Sequence, residues 1–285
     1  MNKIKVLLCG GLGNQLFEYA MGRASSLRTG IPLELDAETY FRQDKKYCRH
    51  YELDLFTLPD EVKVIHHAAP FSRIERKWKL IQERNHPLDK QSFLMEKSPP
   101  TFQSELLTWQ PRRAVKLLGY WQTEKYFEAV SGQIRNDLKF KTPALSTEWV
   151  KKINGEIHAV AVHIRRMQYS QCLDEVYYIK AMKQMREMYP ECRFFCFSDD
   201  PEWADEFFKD EKDCEVVVQE GLPAIEDFKL FTCCRHFIIA NSSFSWWAAW
   251  LGEKRGTKIF VPSSEMWDNH EVIPERWNVI KCYNK

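Results

Sequence analysis

The sequence predicts an α/β protein built on doubly wound parallel sheets. Three observations predict it. The first 35 residues read as strand, glycine turn, helix and strand, a βαβ opening that implies parallel pairing. From residue 156 onward, strand-like apolar runs alternate with helical patterns, as in a doubly wound domain. The composition is that of an ordinary globular chain, 44% hydrophobic and 28% charged, which excludes disordered and fibrous classes.

The elements follow in order. Ile4, Val6, Leu7 and Leu8 form the first strand, and Gly10-Gly11-Leu12-Gly13 ends it. Leu16, Phe17, Ala20, Ala24 and Leu27 then share a helical face, Gly30 stops that helix, and residues 31–35 form the second strand. Signals are weaker over 60–115. Ile74, Trp78 and Ile81 fall on a helical stripe with Arg73, Arg76, Lys77, Lys79 and Arg84 around them. The expected reading is a core-facing helix with a solvated basic surface; the alternative is a peripheral contact with a membrane surface or lipid carrier. Residues 97–101 form a proline-bearing loop. The second alternation has strands over 157–164, 193–197, 214–218 and 236–240 and a last one over 257–261. Helices are expected over 177–189, from Pro201, over 224–233, and around Trp246, Trp247, Trp250 and Leu251. The polar, proline-bearing stretch 139–149 predicts a boundary, giving domains 1–145 and 146–285.

Composition bounds the function. With 41 Lys+Arg against 40 Asp+Glu the net charge is +1, which removes the electrostatic case for a nucleic-acid partner. No run approaches the ~18 apolar residues of a membrane-spanning helix, and the short apolar stretch before Gly10 is no secretory signal. Nine cysteines without a CxxC pair argue against a disulfide framework or a structural zinc site. Reduced, mostly buried thiols and a cytoplasmic location are expected, with no metal and no cofactor.

In open α/β sheets, ligands lie beyond the carboxyl ends of strands, at helix N-termini. Four segments end strands in polar groups. Gly10-Gly11-Leu12-Gly13-Asn14-Gln15 is not the dinucleotide fingerprint, because the third glycine position is Leu16. It is either a structural turn with an amide cap or a sugar- or phosphate-facing loop. His163-Ile164-Arg165-Arg166 places two permanent charges at the mouth of the sheet, where planar, bidentate donors suit a phosphate. Strand alternation puts His163 and Arg165 on one side and Arg166 on the other. Ser198-Asp199-Asp200 lacks the DxD spacing that brings two carboxylates to one cation; capping of the helix from Pro201 is the structural reading. Asn241-Ser242-Ser243-Phe244-Ser245 offers more hydroxyls than a cap needs, and with free backbone N–H groups would cradle an anion. Trp246, Trp247 and Trp250 are expected in the core.

These motifs carry a resemblance. Together with Gly119-Tyr120-Trp121-Gln122-Thr123-Glu124-Lys125-Tyr126-Phe127, Glu226-Asp227-Phe228, and Trp267, Pro274 and Trp277, the chain resembles the family-11 glycosyltransferases, the bacterial alpha-1,2-fucosyltransferases. The resemblance implies a GT-B-like fold, two Rossmann-like domains with the active site in a cleft. It also implies metal-independent, inverting transfer of fucose from a GDP-sugar donor, GDP-fucose, to the 2-hydroxyl of a galactose-terminated glycan or lipid-linked oligosaccharide. Carried over, Arg165 and Arg166 contact the diphosphate, His163 shapes that strand end, and Ser198, Asp199 and Asp200 lie near the donor. Asn241, Ser242, Ser243 and Ser245 lie near the pyrophosphate, while Gly11, Gly13, Asn14 and Gln15 face the reacting sugar. The family pattern His-x-Arg-Arg-Gly-Asp-Tyr is broken here by Met167 and Gln168, and an amide cannot act as a base. Asp36 and Glu18 are the remaining base candidates. The rival readings are a relative using another GDP-sugar and a non-catalytic nucleotide- or glycan-binding protein.

Overall fold

A computed structural model describes residues 2–67, 72–83, 85–167 and 172–282. The chain divides into two compact units, Met1–Lys141 with Asp268–Val272, and Thr142–Trp267 with Ile273–Lys285. The division falls a few residues before the expected boundary. The return segment Asp268–Val272 belongs to the first unit, which a single cut near residue 145 does not give.

The first unit contains β1 (Ile4–Leu7), α1 (Leu12–Thr29), β2 (Leu33–Asp36), β3 (Lys63–Ile65), α2 (Arg73–Glu83), β4 (Phe93–Met95), β5 (Val115–Leu118) and α3 (Ser131–Asp137). Its five strands run parallel in the order β3-β2-β1-β5-β4. Ile4, Val6, Leu33, Leu35, Val115 and Leu117 are buried; Lys5, Glu34 and Lys116 alternate with them on the other face, Lys5 directly opposite Glu34 and Lys116. Leu16, Phe17, Ala20 and Ala24 of α1 are buried as expected, whereas Leu27 is exposed. Arg23 ties α1 to α3: it donates to Asp137 at 2.9 Å, beside the Tyr19 hydroxyl at 2.7 Å.

The second unit contains α4 (Thr147–Gly155), β6 (Ala159–Ile164), α5 (Glu175–Met188), β7 (Arg193–Ser198), α6 (Pro201–Phe208), β8 (Cys214–Val216), α7 (Ala224–Cys233), β9 (His236–Ile238), α8 (Ser243–Gly252), β10 (Ile259–Pro262) and β11 (Asn278–Ile280). Its parallel sheet has the order β11-β10-β9-β6-β7-β8. Counted from β6 this is the doubly wound order 3-2-1-4-5-6. β11 lies beyond the strand expected to be last. Every residue of β6 is buried, because helices cover both faces of a parallel sheet. Trp246, Trp247 and Trp250 are fully buried and pack on one another at 5.1–6.4 Å, with Trp277 5.1 Å from Trp246.

One expectation about α2 fails. Ile74, Trp78 and Ile81 are 69%, 61% and 65% exposed, so their stripe faces solvent rather than the core. The inward side is Leu80, packed against Leu7, Phe93 and Leu118, together with buried Glu83. The thiols are also less enclosed than expected: Cys192, Cys196, Cys234 and Cys282 are buried, while Cys48 and Cys172 are exposed. Among the described residues no helix is long and apolar enough to cross a membrane.

Candidate active site

Each sheet has one place where neighbouring strands send their connections in opposite directions, and a crevice opens there beyond the carboxyl ends. In the first unit it lies between β1 and β5 and in the second between β6 and β9. The Gly10, Gly119, His163 and Asn241 motifs follow those four strands, and Ser198-Asp199-Asp200 ends β7, the neighbour of β6.

In the first unit, Gly10 takes φ 73°, and a Cβ there would lie 2.6 Å from the Asn14 amide nitrogen; only glycine fits the turn. Gly11 caps α1 without a side-chain bond, and a Cβ on it would lie 3.5 Å from the Arg49 guanidinium. Gly13 is buried in the first turn of α1. Asn14 is half-buried and accepts from Gln122 Nε2 at 2.9 Å, so the turns after β1 and β5 are linked across the crevice mouth. Gln15 departs from its expected role. It is fully buried, donates to the carbonyls of Gly10 and His50 at 3.0 and 2.8 Å, and accepts from the Glu52 amide at 2.9 Å. Both N–H groups are engaged and the side chain is enclosed, so its amide holds two loops together.

Neither base candidate is placed for proton transfer to a substrate. Asp36 is buried and accepts from the Glu38 and Thr39 amides and the Thr39 hydroxyl, the local closure typical of aspartate after a strand. Glu18 is fully enclosed and accepts from the Cys9 amide and thiol, both at 3.0 Å. Burial pushes its carboxyl well above the usual range, and burial together with Glu18 pushes the Cys9 thiol up.

A third carboxylate was not legible as a site residue. Glu96, just beyond β4, accepts from the Tyr120 and Trp121 amides at 2.8 and 3.0 Å and keeps partial exposure. Burial raises its pKa against those two hydrogen bonds. The turn around it is strained: Gly119 has φ 153° and Trp121 φ 54°, and a Cβ on Gly119 would come 2.3 Å from that of Glu96. Backbone held this way at the end of a sheet is common at functional sites. The sequence signal available was Gly119 itself.

In the second unit, Arg165 and Arg166 follow β6, both partly exposed. Arg165 pairs with Asp199 at 3.0 Å. Arg166 lies 3.8 Å from Asp200 and stacks its guanidinium over Trp203, 4.0 Å from the ring centre. Asp199 also accepts from the Arg166 and Met167 amides at 2.8 and 3.1 Å. Asp200 caps α6 through the Trp203 amide, and Ser198 closes the same turn through the Asp200 amide. The capping reading therefore accounts for Ser198 and Asp200, and both carboxylates orient arginines. Gln168 lies outside the described residues.

His163 is buried between Phe231 and Phe244, with Nδ1 enclosed and lacking a hydrogen-bond partner. Burial, with Arg165 adding to it, takes its pKa down to about 3. It is a neutral ring that packs the strand end and does not shuttle protons near neutrality.

Beyond β9, Asn241 is buried and donates to the Met266 carbonyl at 3.1 Å. Ser242 is the N-cap of α8, with no side-chain bond to the helix, and Ser243 is half-exposed in its first turn. Ser245 departs from expectation: it is fully buried, its hydroxyl directed to the Ala240 and Ser242 carbonyls at 3.5 and 3.3 Å. Of the Glu226-Asp227-Phe228 motif, Glu226 accepts from Lys229 at 2.8 Å and from the Leu145 amide at 2.7 Å, and Lys229 reaches Thr142 and Pro143. That buried pair anchors the start of the second unit. The second crevice is thus flanked by two oriented guanidinium groups on one side and a helix N-terminus on the other, an arrangement suited to a diphosphate.

The model for glycosyl transferase family 11 matches residues 3–281. The alpha-1,2-colitosyltransferase of Escherichia coli is similar, 29% identical over 97% of this chain and 98% of its own length. So is the O-antigen biosynthesis glycosyltransferase WbnK of Escherichia coli, at 28% over 86% of this chain and 88% of its own. Among solved structures, NodZ alpha-1,6-fucosyltransferase soaked with GDP-fucose gives a TM-score of 0.49 at 17% identity, covering 88% of this chain and 93% of that one. The Escherichia coli heptosyltransferase WaaC with ADP gives 0.47 at 10%, covering 98% and 93%. With the family match spanning nearly the whole chain and its motifs gathered at the mouths of two Rossmann-like sheets, the chain belongs to glycosyl transferase family 11 and is a glycosyltransferase.

Proposed function

We propose that the chain transfers fucose from GDP-fucose to the 2-hydroxyl of a galactoside, inverting the anomeric centre without a metal ion, in assembly of a surface glycan. The observation that carries the reading is the pair Arg165 and Arg166 opposite the N-terminus of α8, whose N-cap Ser242 makes no side-chain bond to the helix. As the sugar–phosphate bond breaks, negative charge grows on the departing diphosphate. Fixed guanidinium groups and helix N–H groups lower that barrier, since they are oriented before reaction and need no rearrangement. The hold of Asp199 on Arg165 supplies that orientation. Asp199 and Asp200 are already engaged by backbone amides and arginines, which supports a metal-free role. For the acceptor hydroxyl we assign Glu96 as general base. Burial raises its pKa, the direction that makes a carboxylate a better proton acceptor, and it keeps the exposure that Glu18 and Asp36 lack. The cytoplasmic setting expected from cysteine usage belongs to the same proposal.

A second donor is favoured by one finding, the 29% identical relative named for colitosyl transfer. Colitose is fucose without its 3-hydroxyl. A site that hydrogen-bonds that hydroxyl rejects the deoxy sugar by about 10⁴-fold or more, whereas an apolar pocket distinguishes the two by only about 10²-fold. The test is incubation with GDP-fucose or GDP-colitose and a panel of β-galactosides, with GDP release measured and the product linkage read by NMR. GDP release with an alpha-1,2-fucosylated product is expected. Faster turnover of GDP-colitose selects the second donor, and no GDP release with any pair overturns both. Arg165→Ala should lower kcat/KM by about 10²-fold or more, and Glu96→Gln should lower kcat with GDP affinity unchanged.

A further inference from the structure

We propose that α2 and the lysine cavity beside it form a docking surface for an anionic phospholipid bilayer. The helix shows two opposite sides. Leu80 packs on the sheet, and Glu83 accepts from Ser92 and from Arg113 and faces His86. Ile74, Trp78 and Ile81, at spacings of four and three, share the opposite side and are each more than three-fifths exposed. A large indole flanked by two β-branched aliphatics, all in water, is an unpartnered apolar stripe rather than a scattered exposure. Lys77 is exposed on the same helix.

The second observation is independent of the stripe. A cavity of about 240 Å³ is lined by Lys3, Lys5, Lys79 and Lys116, with Ser92 and Phe93. Lys79, on α2, makes the helix one wall of it. Lys5 and Lys116 are direct cross-strand partners, and like charges in that position repel. Burial and the neighbouring Lys5 and Lys79 lower the Lys116 pKa, against Asp36 and Glu75, which raise it. Glu34 pairs with Lys3 and Lys5. A phosphate group entering this cavity relieves the repulsion that remains. Its lining includes Lys3, Ala114 and Val115, at the amino ends of β1 and β5, while the Gly10 turn and Glu96 lie at the carboxyl ends.

The occupant follows from the chemistry. Three side chains are too small a patch for a stable protein interface, which needs about 800 Å² per partner, and lysine is depleted in such interfaces. An amphipathic helix with aromatic and aliphatic anchors beside lysines is the pattern of a helix lying in the headgroup region of an anionic leaflet.

The test is co-sedimentation of the full chain with vesicles of phosphatidylglycerol and phosphatidylcholine, or of phosphatidylcholine alone. Binding to the anionic vesicles that weakens as salt is raised, with little binding to phosphatidylcholine, is expected. Ile74→Ser/Trp78→Ser/Ile81→Ser should lower the partition coefficient by about tenfold or more with an unchanged melting temperature. Lys79→Gln/Lys116→Gln should remove the preference for the anionic lipid. Equal partition of parent and triple variant overturns the proposal, as does a parent that ignores the vesicles. If inorganic phosphate raises the melting temperature of the parent while vesicles do not bind, the cavity is a free-phosphate site and the proposal fails. A parent dimer that the triple variant turns into a monomer in sedimentation velocity makes the stripe an interface between copies, and also overturns it.

Discussion

Asp199 carries the sharpest prediction. Its carboxylate accepts from the Arg166 and Met167 amides at 2.8 and 3.1 Å and pairs with Arg165 at 3.0 Å. Removing it with Asp199→Ala leaves two backbone donors unsatisfied and takes the ion pair from Arg165. Each bond to a charged acceptor contributes about 1.5–3 kcal/mol. The side chain is 19% exposed, so water replaces part of the loss, and about 2–4 kcal/mol of stability should go. Arg165 without this ion pair regains up to ~2 kcal/mol of rotamer entropy that donor binding must then overcome, so GDP should bind about 10–30-fold more weakly. Asp199→Asn keeps one acceptor oxygen, so it should lose about half the stability and a comparable share of affinity. Urea unfolding and isothermal titration with GDP measure the two quantities. If Asp199→Ala unfolds within about 0.5 kcal/mol of the parent, the positioning argument is wrong. Unchanged stability with equal loss of turnover in both variants would instead make Asp199 a direct donor contact.

Other expectations follow from buried groups. Lys229→Met strips Glu226 of its partner and should cost about 3–5 kcal/mol in urea unfolding, while Glu226→Leu/Lys229→Met should recover much of it; a single variant as stable as the parent sinks the claim. Gln15→Ala orphans the Gly10 and His50 carbonyls and the Glu52 amide, at a cost of about 2–4 kcal/mol, and hydrogen exchange at the Glu52 amide should accelerate. His163 titrates near pH 3 when folded and near 6.5 when unfolded. The unfolded chain therefore binds the extra proton between those values, and stability falls as pH drops from about 6.5 toward 3. His163→Phe should flatten that acid limb by up to ~1.4 kcal/mol per pH unit; an unchanged slope shows that another group sets it. Gly119→Ala, which drives a Cβ into Glu96, should destabilise by about 2 kcal/mol or more and lower turnover.

The second sheet was largely legible because β6 is six residues long, fully buried and ended by charge, so its apolar run and its stop are both strong signals. The first unit was not, because β3 and β4 are three residues each and the sheet's second face carries Lys5, Glu34 and Lys116 between apolar positions. Periodicity found α2 but gave its orientation the wrong way round, since spacing tells which residues share a side and not where that side points. The same limit applies to the serines: Ser242, Ser243 and Ser245 lie within four positions, yet the turn of α8 buries Ser245 and leaves Ser243 half-exposed. The long-range tethers made by Gln15 and Asp199 depend on residues 32–37 positions away, and Glu96 acquires its setting only when β5 brings Gly119–Trp121 beside it. Such relations exist only in the folded chain.

The return segment has a consequence for synthesis. Glu271 accepts from the Phe102 amide at 2.7 Å and pairs with Lys125 at 2.9 Å, and Asn269 donates to the Gln122 carbonyl at 3.1 Å. These partners are separated by 146–169 residues, so the first unit leaves the ribosome before the Asn269 contact to its Gln122 turn exists. It waits while β6 to β10 are translated, and only then receives its clasp. β11 follows later still, to complete the edge of the other sheet. The first unit therefore has its full set of contacts only once residues 268–272 have been made, and the second only once β11 has been made. Expressing residues 1–141 alone would yield an N-terminal sheet lacking the clasp on the very turn that holds Asn14.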